Sequence, residues 1–305
     1  INLHHKKWFC KLNLLNRNSI YYLKLTIIWA LYLPIVFATY LIVWLDRIFR
    51  FPLPFPRNLV ALAKAETWCV RELKKNGILP QDAKVNEFKV IPLDQNLIFR
   101  SNAGIIEINF SNNDEKKILK CFAKFAPTMG TVWNRTIFNL QLNHIKETYF
   151  NQFFISTQKS IPAPAVYYAA MSFLTGNLCL ITEFMNDYTH YLDSIYENFP
   201  DEHLQLALEG MATLHAYFWN KPQEFRRNIL AIENNTIYLF DSIVASSWSL
   251  DARNVMVNSW RNMNQPQTVL HGDARVGNMM LSADGKDKFV FIDWQAVRQG
   301  KAVYD

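Results

Sequence analysis

The sequence of 305 residues is 50% hydrophobic and 14% aromatic, and its 19% of charged residues lies below the roughly 25% of an average soluble domain. This composition excludes an intrinsically disordered chain, and nine glycines and 12 prolines without a period exclude collagen-like and low-complexity classes. The net charge of +6 is spread along the chain rather than clustered, so nucleic acid is not expected as a partner.

An apolar segment is the first element along the chain. Residues 25–45 contain 21 residues without a charge, which is long enough to cross a hydrocarbon core of about 30 Å. We therefore expect this segment to span or enter a membrane, with a buried helix or a hairpin bent at Pro34 as the alternative. Lys and Arg residues are nearly balanced on its two sides, so its orientation is not predicted.

Periodicity predicts the elements that follow. Phe51 to Arg57 alternates proline with bulky residues and indicates an extended linker. Asn58 to Asn76 has a helical pattern that ends at Gly77, and two alternating apolar runs around a polar turn predict a β-hairpin. The hairpin strands and the later elements are predicted at Ile105–Phe110 and Ile118–Phe125 (strands), Asn139–Phe154 (helix), Asn177–Phe184 (strand) and Asp201–Trp219 (helix). Strands first and helices later favour an α+β, two-lobed arrangement.

Three short strands are predicted near the carboxy terminus. Apolar runs at 268–270, 279–281 and 289–292 are separated by polar segments, and Asp284-Gly285 predicts a hairpin turn between the last two runs. The folded hairpin brings the residue before its first strand beside the residue after its second strand.

The residues at those two positions are Asn278 and Asp293. Their amide and carboxylate oxygens form a hard oxygen site that suits Mg²⁺ together with substrate phosphates. Asp273, five residues before Asn278, is placed to orient or deprotonate an attacking hydroxyl.

This constellation resembles the aminoglycoside phosphotransferase and choline-kinase-like (CHK kinase-like) small-molecule kinases, which share the protein-kinase-like fold. The match is His271-Gly272-Asp273, four residues, Asn278, and then Asp-Trp-Gln where protein kinases carry Asp-Phe-Gly. The resemblance implies that Asp273 is the catalytic base, that Asn278 and Asp293 hold Mg²⁺, and that ATP is the phosphoryl donor.

The resemblance also assigns nucleotide-binding residues upstream. Lys124, on the second strand of the hairpin, corresponds to the lysine that touches the phosphates, and Glu147 to its glutamate partner. Lys120 is the alternative to Lys124 for the phosphate-contacting lysine, because residues four apart lie on the same face of a strand. The backbone of Glu183, Phe184 and Met185 is implied to bind adenine, and the position of the nucleotide-covering loop offers a single glycine, Gly104.

The resemblance divides the chain into three parts. Residues 1–57 form a basic flank with the membrane segment and linker, 58–185 an amino-terminal lobe, and 186–305 a truncated carboxy-terminal catalytic lobe. Because the chain begins with Ile1 rather than Met and stops at Asp305 directly after an apolar run, we expect both ends to be edges of a fragment.

The function expected from the sequence is ATP- and Mg²⁺-dependent transfer of a phosphoryl group to a hydroxyl of a small molecule. The enzyme would be membrane-associated, with its catalytic domain in the cytoplasm. A non-catalytic kinase-like module is the alternative, since the glycine-poor loop and short carboxy-terminal lobe weaken catalysis. A protein kinase is disfavoured because Gly272 replaces the arginine of the kinase catalytic loop and no activation segment follows Asp293.

Overall fold

The structure is a computed structural model that falls into two compact units, Ile1–Phe51 and Pro52–Asp305. It describes residues 30, 33–93, 102–113, 115–126, 132–140, 143–157, 160–186, 188–190, 200–221, 266–282 and 289–302.

The described part of the first unit is helix α1, residues 33–49. Across the described ranges, no helix is both long and apolar enough for a membrane span, so the span predicted for residues 25–45 is not supported. Helix α1 has 17 residues and continues past the predicted apolar segment to include Asp46 and Arg47. Residues 25–29 and 31–32 lie outside the described residues.

Two short helices open the second unit where the sequence predicts a single helix. Helix α2 is Leu59–Ala63 and helix α3 is Glu66–Lys75. They are separate because the N–H groups of Lys64 and Ala65 donate to carbonyls three residues back, which tightens the backbone and ends the first helix. Gly77, with φ +71°, follows the end of α3 at the predicted stop position.

A five-stranded antiparallel sheet forms the body of the amino-terminal lobe, with strand order β1-β2-β3-β5-β4. The strands are β1 (Lys84–Pro92), β2 (Asn102–Asn112), β3 (Glu115–Phe125), β4 (Val166–Met171) and β5 (Leu178–Glu183). The predicted hairpin is β2–β3: β2 extends beyond its predicted range at both ends, and β3 begins three residues before its predicted start and ends at Phe125 as predicted. An apolar core that includes Leu62, Leu73, Ile106, Cys121 and Ile181 packs the sheet against α2 and α3.

Two helices connect β3 to β4. Helix α4 is Val132–Leu140 and helix α5 is Asn143–Phe150, which continues into a π-helical turn at Asn151–Ile155. The sequence predicts one helix over Asn139–Phe154, which corresponds to α5 and the turn. Helix α5 packs against α4, β4 and β5.

The carboxy-terminal lobe is built on helix α6 (Asp201–Phe218) and short strands. The strands are β6 (Tyr188–His190), β7 (Thr268–Leu270), β8 (Met279–Ser282), β9 (Phe289–Phe291) and β10 (Arg298–Gly300). Strands β6, β8 and β9 form one sheet and β7 pairs with β10. The predicted Asp284-Gly285 turn between β8 and β9 lies outside the described residues.

An aromatic cluster forms the core of this lobe around Trp294, which is 2% exposed. Phe150 stacks on the Trp294 ring at 4.6 Å between centroids, and Phe291 lies against it edge-on at 5.9 Å. Because Trp294 follows Asp293 directly, burial of its ring fixes the backbone that presents the Asp293 carboxylate.

Candidate active site

Lys124 joins the two lobes through one buried and one half-buried ion pair. Its Nζ lies 2.7 Å from Oε1 of Glu147 on α5 and 2.6 Å from Oδ1 of Asp293 after β9. The Lys124 side chain is 9% exposed and that of Glu147 is 2% exposed. Lys120, the alternative on the same strand, is exposed and instead lies 3.6 Å from the half-buried Glu107. The geometry therefore separates two lysines that the sequence leaves equivalent.

Charge and burial act in opposite directions within this cluster. Burial alone would lower the pKa of Lys124, but the carboxylates of Asp293 and Glu147 raise it. Burial raises the pKa of Glu147 despite its lysine partner. Burial would also raise the pKa of Asp293, but the Lys124 ammonium holds it below its ordinary value. The stable arrangement is a protonated lysine between two carboxyl groups.

The loop after β7 depends on a glycine and a buried histidine. Gly272 has φ +80°, and a Cβ on this residue would collide with the carbonyl oxygen of Ala296. The His271 ring is fully buried, packs on Trp294 at 4.6 Å and places Nε2 3.0 Å from the Ile292 carbonyl oxygen. These contacts hold the loop against the segment that contains Asp293.

Asp273 and Asn278 are linked directly within this loop. The Asn278 Nδ2 group donates to Oδ2 of Asp273 at 2.8 Å and to its backbone oxygen at 2.9 Å. The Ile292 N–H donates to the Asn278 carbonyl at 2.9 Å and places Asn278 beside the residue before Asp293, as the sequence predicts. Burial and the charge of Asp293 raise the pKa of Asp273, although the hydrogen bond from Asn278 opposes this.

Asp293 occupies the left-handed backbone region, with φ +66°. Aspartate tolerates this conformation better than most residues with a Cβ. Its Oδ2 accepts a hydrogen bond from Nε2 of Gln295 at 3.1 Å, while Oδ1 faces Lys124. Both oxygens of this carboxylate are therefore oriented by neighbouring side chains.

The predicted adenine-binding segment lies at the end of β5, away from these ionic contacts. Glu183 is exposed, and its backbone N–H donates to the Ala165 carbonyl at 2.8 Å. Phe184 and Met185 are half-buried, and the Phe184 carbonyl accepts from the N–H of Asn186. The described contacts do not bring this segment to the Lys124 cluster, and its role stays a prediction.

Gly104 has a packing function rather than a position in a covering loop. It lies within β2, where a Cβ would be 2.6 Å from the Ile91 carbonyl oxygen and 2.9 Å from a methyl of Leu59. The glycine therefore permits close approach of β1 and α2. Residues 94–101, which contain most of the segment before it, lie outside the described residues.

Three side chains near the site were given no role from the sequence, although Gln295 is part of the Asp-Trp-Gln motif. Arg275 places Nε 3.4 Å from Oδ2 of Asp273, Gln295 donates to Asp293, and buried His144 lies close enough to the cluster for Lys124 to influence its pKa. Arg275 lies between the two motif residues Asp273 and Asn278, which is a usable sequence signal. His144 is three residues before Glu147 and has no comparable local signal.

The two-lobed α+β architecture, with a lysine and a glutamate of the first lobe joined to an aspartate of the second, is that of a protein-kinase-like fold. Residues 157–305 match the sequence model of the Phosphotransferase enzyme family, APH, which confirms the resemblance found in the catalytic loop. The match extends over slightly less than half of the chain. It includes Asp273, Asn278 and Asp293 and begins after Lys124 and Glu147.

Two solved structures are similar to the chain. One is a candidate aminoglycoside phosphotransferase from Ralstonia eutropha JMP134, with a TM-score of 0.44, 11% identity and coverage of 76% of this chain and 65% of that chain. The other is a thermostable mutant of aminoglycoside phosphotransferase APH(4)-Ia in its apo form, with a TM-score of 0.41, 14% identity and coverage of 77% and 73%. The chain thus spans slightly less than two thirds of the first structure. No curated protein sequence matches it significantly.

Proposed function

We propose that the protein is an ATP- and Mg²⁺-dependent phosphotransferase that acts on a hydroxyl group of a small molecule. The observation that supports this most is the position of Lys124 between Glu147 and Asp293, beside a loop in which Asp273 and Asn278 are hydrogen-bonded. Removing charges from water costs free energy that their mutual attraction does not always recover, so stability alone is a weak explanation for this cluster.

The donor set fits a divalent cation that binds with phosphates. Asn278 uses its nitrogen to donate to Asp273, so its amide oxygen is the atom left to ligate a cation. The Asp293 carboxylate supplies a second oxygen, and hard oxygen ligands suit Mg²⁺. When bound, Mg²⁺ would neutralise charge on the ATP phosphates. Lys124 would contact the same phosphates, held in place by Glu147.

Asp273 has the chemistry expected of the base in this reaction. Its Oδ2 accepts a hydrogen bond from Asn278, which orients the carboxylate toward an acceptor hydroxyl. The acceptor oxygen forms a bond to the γ-phosphorus as the bond from that phosphorus to ADP breaks, and the hydroxyl proton passes to Asp273. The raised pKa of Asp273 favours this proton transfer.

Thermal unfolding of the full chain with ATP, with and without Mg²⁺, tests the nucleotide site. We expect ATP to raise the Tm of the wild type only when Mg²⁺ is present, because a ligand that binds the folded state alone stabilises it. Asp293→Ala should abolish the shift, whereas Glu107→Gln, which changes the more solvent-accessible Lys120–Glu107 pair of the amino-terminal lobe, should retain it.

A screen of hydroxyl-bearing small molecules with radiolabelled ATP then tests turnover. Asp273→Asn should keep the nucleotide-dependent shift and lose about 10² to 10⁴ in the rate of phosphoryl transfer. Nucleotide binding without transfer to any acceptor would favour a non-catalytic module. Absence of a shift in the folded wild type would contradict the proposal as a whole.

A further inference from the structure

Helix α5 carries Glu147, and its position depends on helix α4, which packs against it. Lys124 is fixed by the strand pairing of β3, whereas Glu147 reaches it from a different element. The distance of 2.7 Å between Nζ and Oε1 therefore requires α4 and α5 to be located accurately relative to the sheet.

Arg135 of α4 binds the turn between β4 and β5. Its guanidinium NH2 group donates to the Thr175 carbonyl oxygen at 2.9 Å and to Oδ1 of Asn177 at 2.7 Å. One helical turn later, Asn139 lies against Gly176, where a Cβ would collide with the asparagine side-chain amide. Residues four apart share a face of a helix, so one face of α4 sits on this turn.

The turn that receives Arg135 is itself well ordered by hydrogen bonds. The N–H of Gly176 donates to the Ser172 carbonyl at 2.8 Å, and the Asn177 side chain donates to the Thr175 hydroxyl at 2.7 Å. Thr175 and Asn177 are 2% and 4% exposed, and Gly176 has φ +65°. The two oxygen atoms that accept hydrogen bonds from Arg135 are therefore held in place by contacts within the turn itself.

The turn leads directly into the strand that pairs with Lys124. Strand β5 begins at Leu178, and its residue Leu180 is the register partner of Lys124. The contact between Arg135 and Asn177 thus connects the helices that position Glu147 to the strand that positions its partner lysine.

We propose that Arg135 is a positioning residue that acts through Glu147 to keep the Lys124–Glu147 pair in the geometry that binds nucleotide phosphates. This inference rests on the proposed function, because it concerns the same nucleotide site. If Arg135 had only a structural role, its loss would lower the stability of the fold. Any accompanying change in ATP affinity would then be the same with and without Glu147.

A double-mutant cycle on the full chain separates these two roles. The dissociation constant of ATP with Mg²⁺ is measured by calorimetry for the wild type, Arg135→Ala, Glu147→Gln and the double variant. We expect Arg135→Ala to weaken binding about tenfold in the wild-type background and less than about twofold in the Glu147→Gln background, because interacting residues are not additive.

Two further variants control the cycle. Asn76→Ala removes a comparable bond, from Nδ2 of Asn76 to the Tyr167 carbonyl at 2.9 Å, which ties α3 rather than α4 to β4. It should leave the affinity within about twofold of the wild type. Asn177→Ser removes the shorter of the two Arg135 bonds, together with the Asn177–Thr175 bond within the turn, and should weaken binding about threefold, again only when Glu147 is present. This variant provides the same test if Arg135→Ala does not fold.

The outcomes are distinguishable. Unchanged affinity in Arg135→Ala, or equal loss in both backgrounds, would overturn the positioning role and leave the proposed function intact. A folded wild type that binds no nucleotide would overturn both.

Discussion

At the scale of single residues, the Lys124 ammonium is the group on which the proposed site most depends. Replacing it in Lys124→Met would leave the carboxylates of Glu147 and Asp293 close together without their shared cation. We expect the free energy of unfolding to fall by about 3 kcal/mol, because removing one partner of a buried ion pair leaves the other uncompensated. We also expect loss of the ATP-dependent rise in Tm.

Lys120→Met is the matched control for this change, since the two lysines lie on the same strand and face. Its pair with Glu107 is 3.6 Å long and solvent-accessible, with the two side chains 41% and 22% exposed, so its loss should change stability by no more than about 0.5 kcal/mol. Urea denaturation of both variants makes the comparison. Equal effects would mean that burial of the Lys124 cluster is not energetically important.

At the scale of elements, the loop after β7 and the turn after β9 approach each other too closely for any side chain at position 272. Gly272→Ala adds a Cβ both in the left-handed backbone region and against the Ala296 carbonyl. Gly77→Ala adds one at φ +71° where nothing lies within 4 Å. We expect Gly77→Ala to cost about 1 kcal/mol and Gly272→Ala at least about 2 kcal/mol, because only the second also overpacks.

Denaturant unfolding measures both costs, and the difference between the two glycines isolates the contact with Ala296. If the two substitutions cost the same, backbone conformation alone explains the effect. The ATP-dependent rise in Tm should also be smaller in Gly272→Ala than in Gly77→Ala, since displacement of Gly272 shifts the adjacent Asp273.

The elements that were predicted from the sequence share a strong local pattern. In strand β2, buried and half-buried residues alternate, and helix α6 covers the predicted range except for Trp219. Strands β1 and β4 were missed, and both lie at the edges of the sheet. Residues of β1 and β4 are largely half-buried or exposed, so they lack the buried alternation that identifies a central strand.

In the site, too, contacts between residues close in the sequence were predicted from local patterns, whereas contacts between distant residues were not. Asn278 and Asp293 were placed together by the hairpin between them, which is a local argument. Lys124 lies 169 residues before Asp293, and only the family resemblance could bring the two together from the sequence. The hydrogen bond from Arg135 to the Thr175 carbonyl in the β4–β5 turn could not be predicted from the local sequence, because any residue can supply a backbone carbonyl.

At the scale of the whole molecule, burial of a neutral histidine close to the Lys124 cluster makes stability depend on pH. His144 is 5% exposed, and burial, reinforced by the charges of Lys124 and Arg135 and opposed by that of Asp293, lowers its pKa from 6.5 to about 3. Because the unfolded chain binds a proton to this ring below pH 6.5 and the folded chain does not, acid favours unfolding. The contribution of His144 is fully present above pH 6.5 and is progressively lost as the pH falls toward 3.

His144→Leu should remove this dependence, since leucine does not titrate. The linkage slope is about 1.4 kcal/mol per pH unit, so the free energy of unfolding of the wild type should fall by about 2.5 kcal/mol more than that of the variant between pH 6.5 and pH 4.5. Urea unfolding at several pH values measures both curves. Comparison of the curves removes the contributions of Asp273, Glu147 and Asp293, which both proteins retain. Parallel curves would mean that His144 is protonated in the folded protein, in which case the Lys124 cluster would have to accommodate a second buried cation.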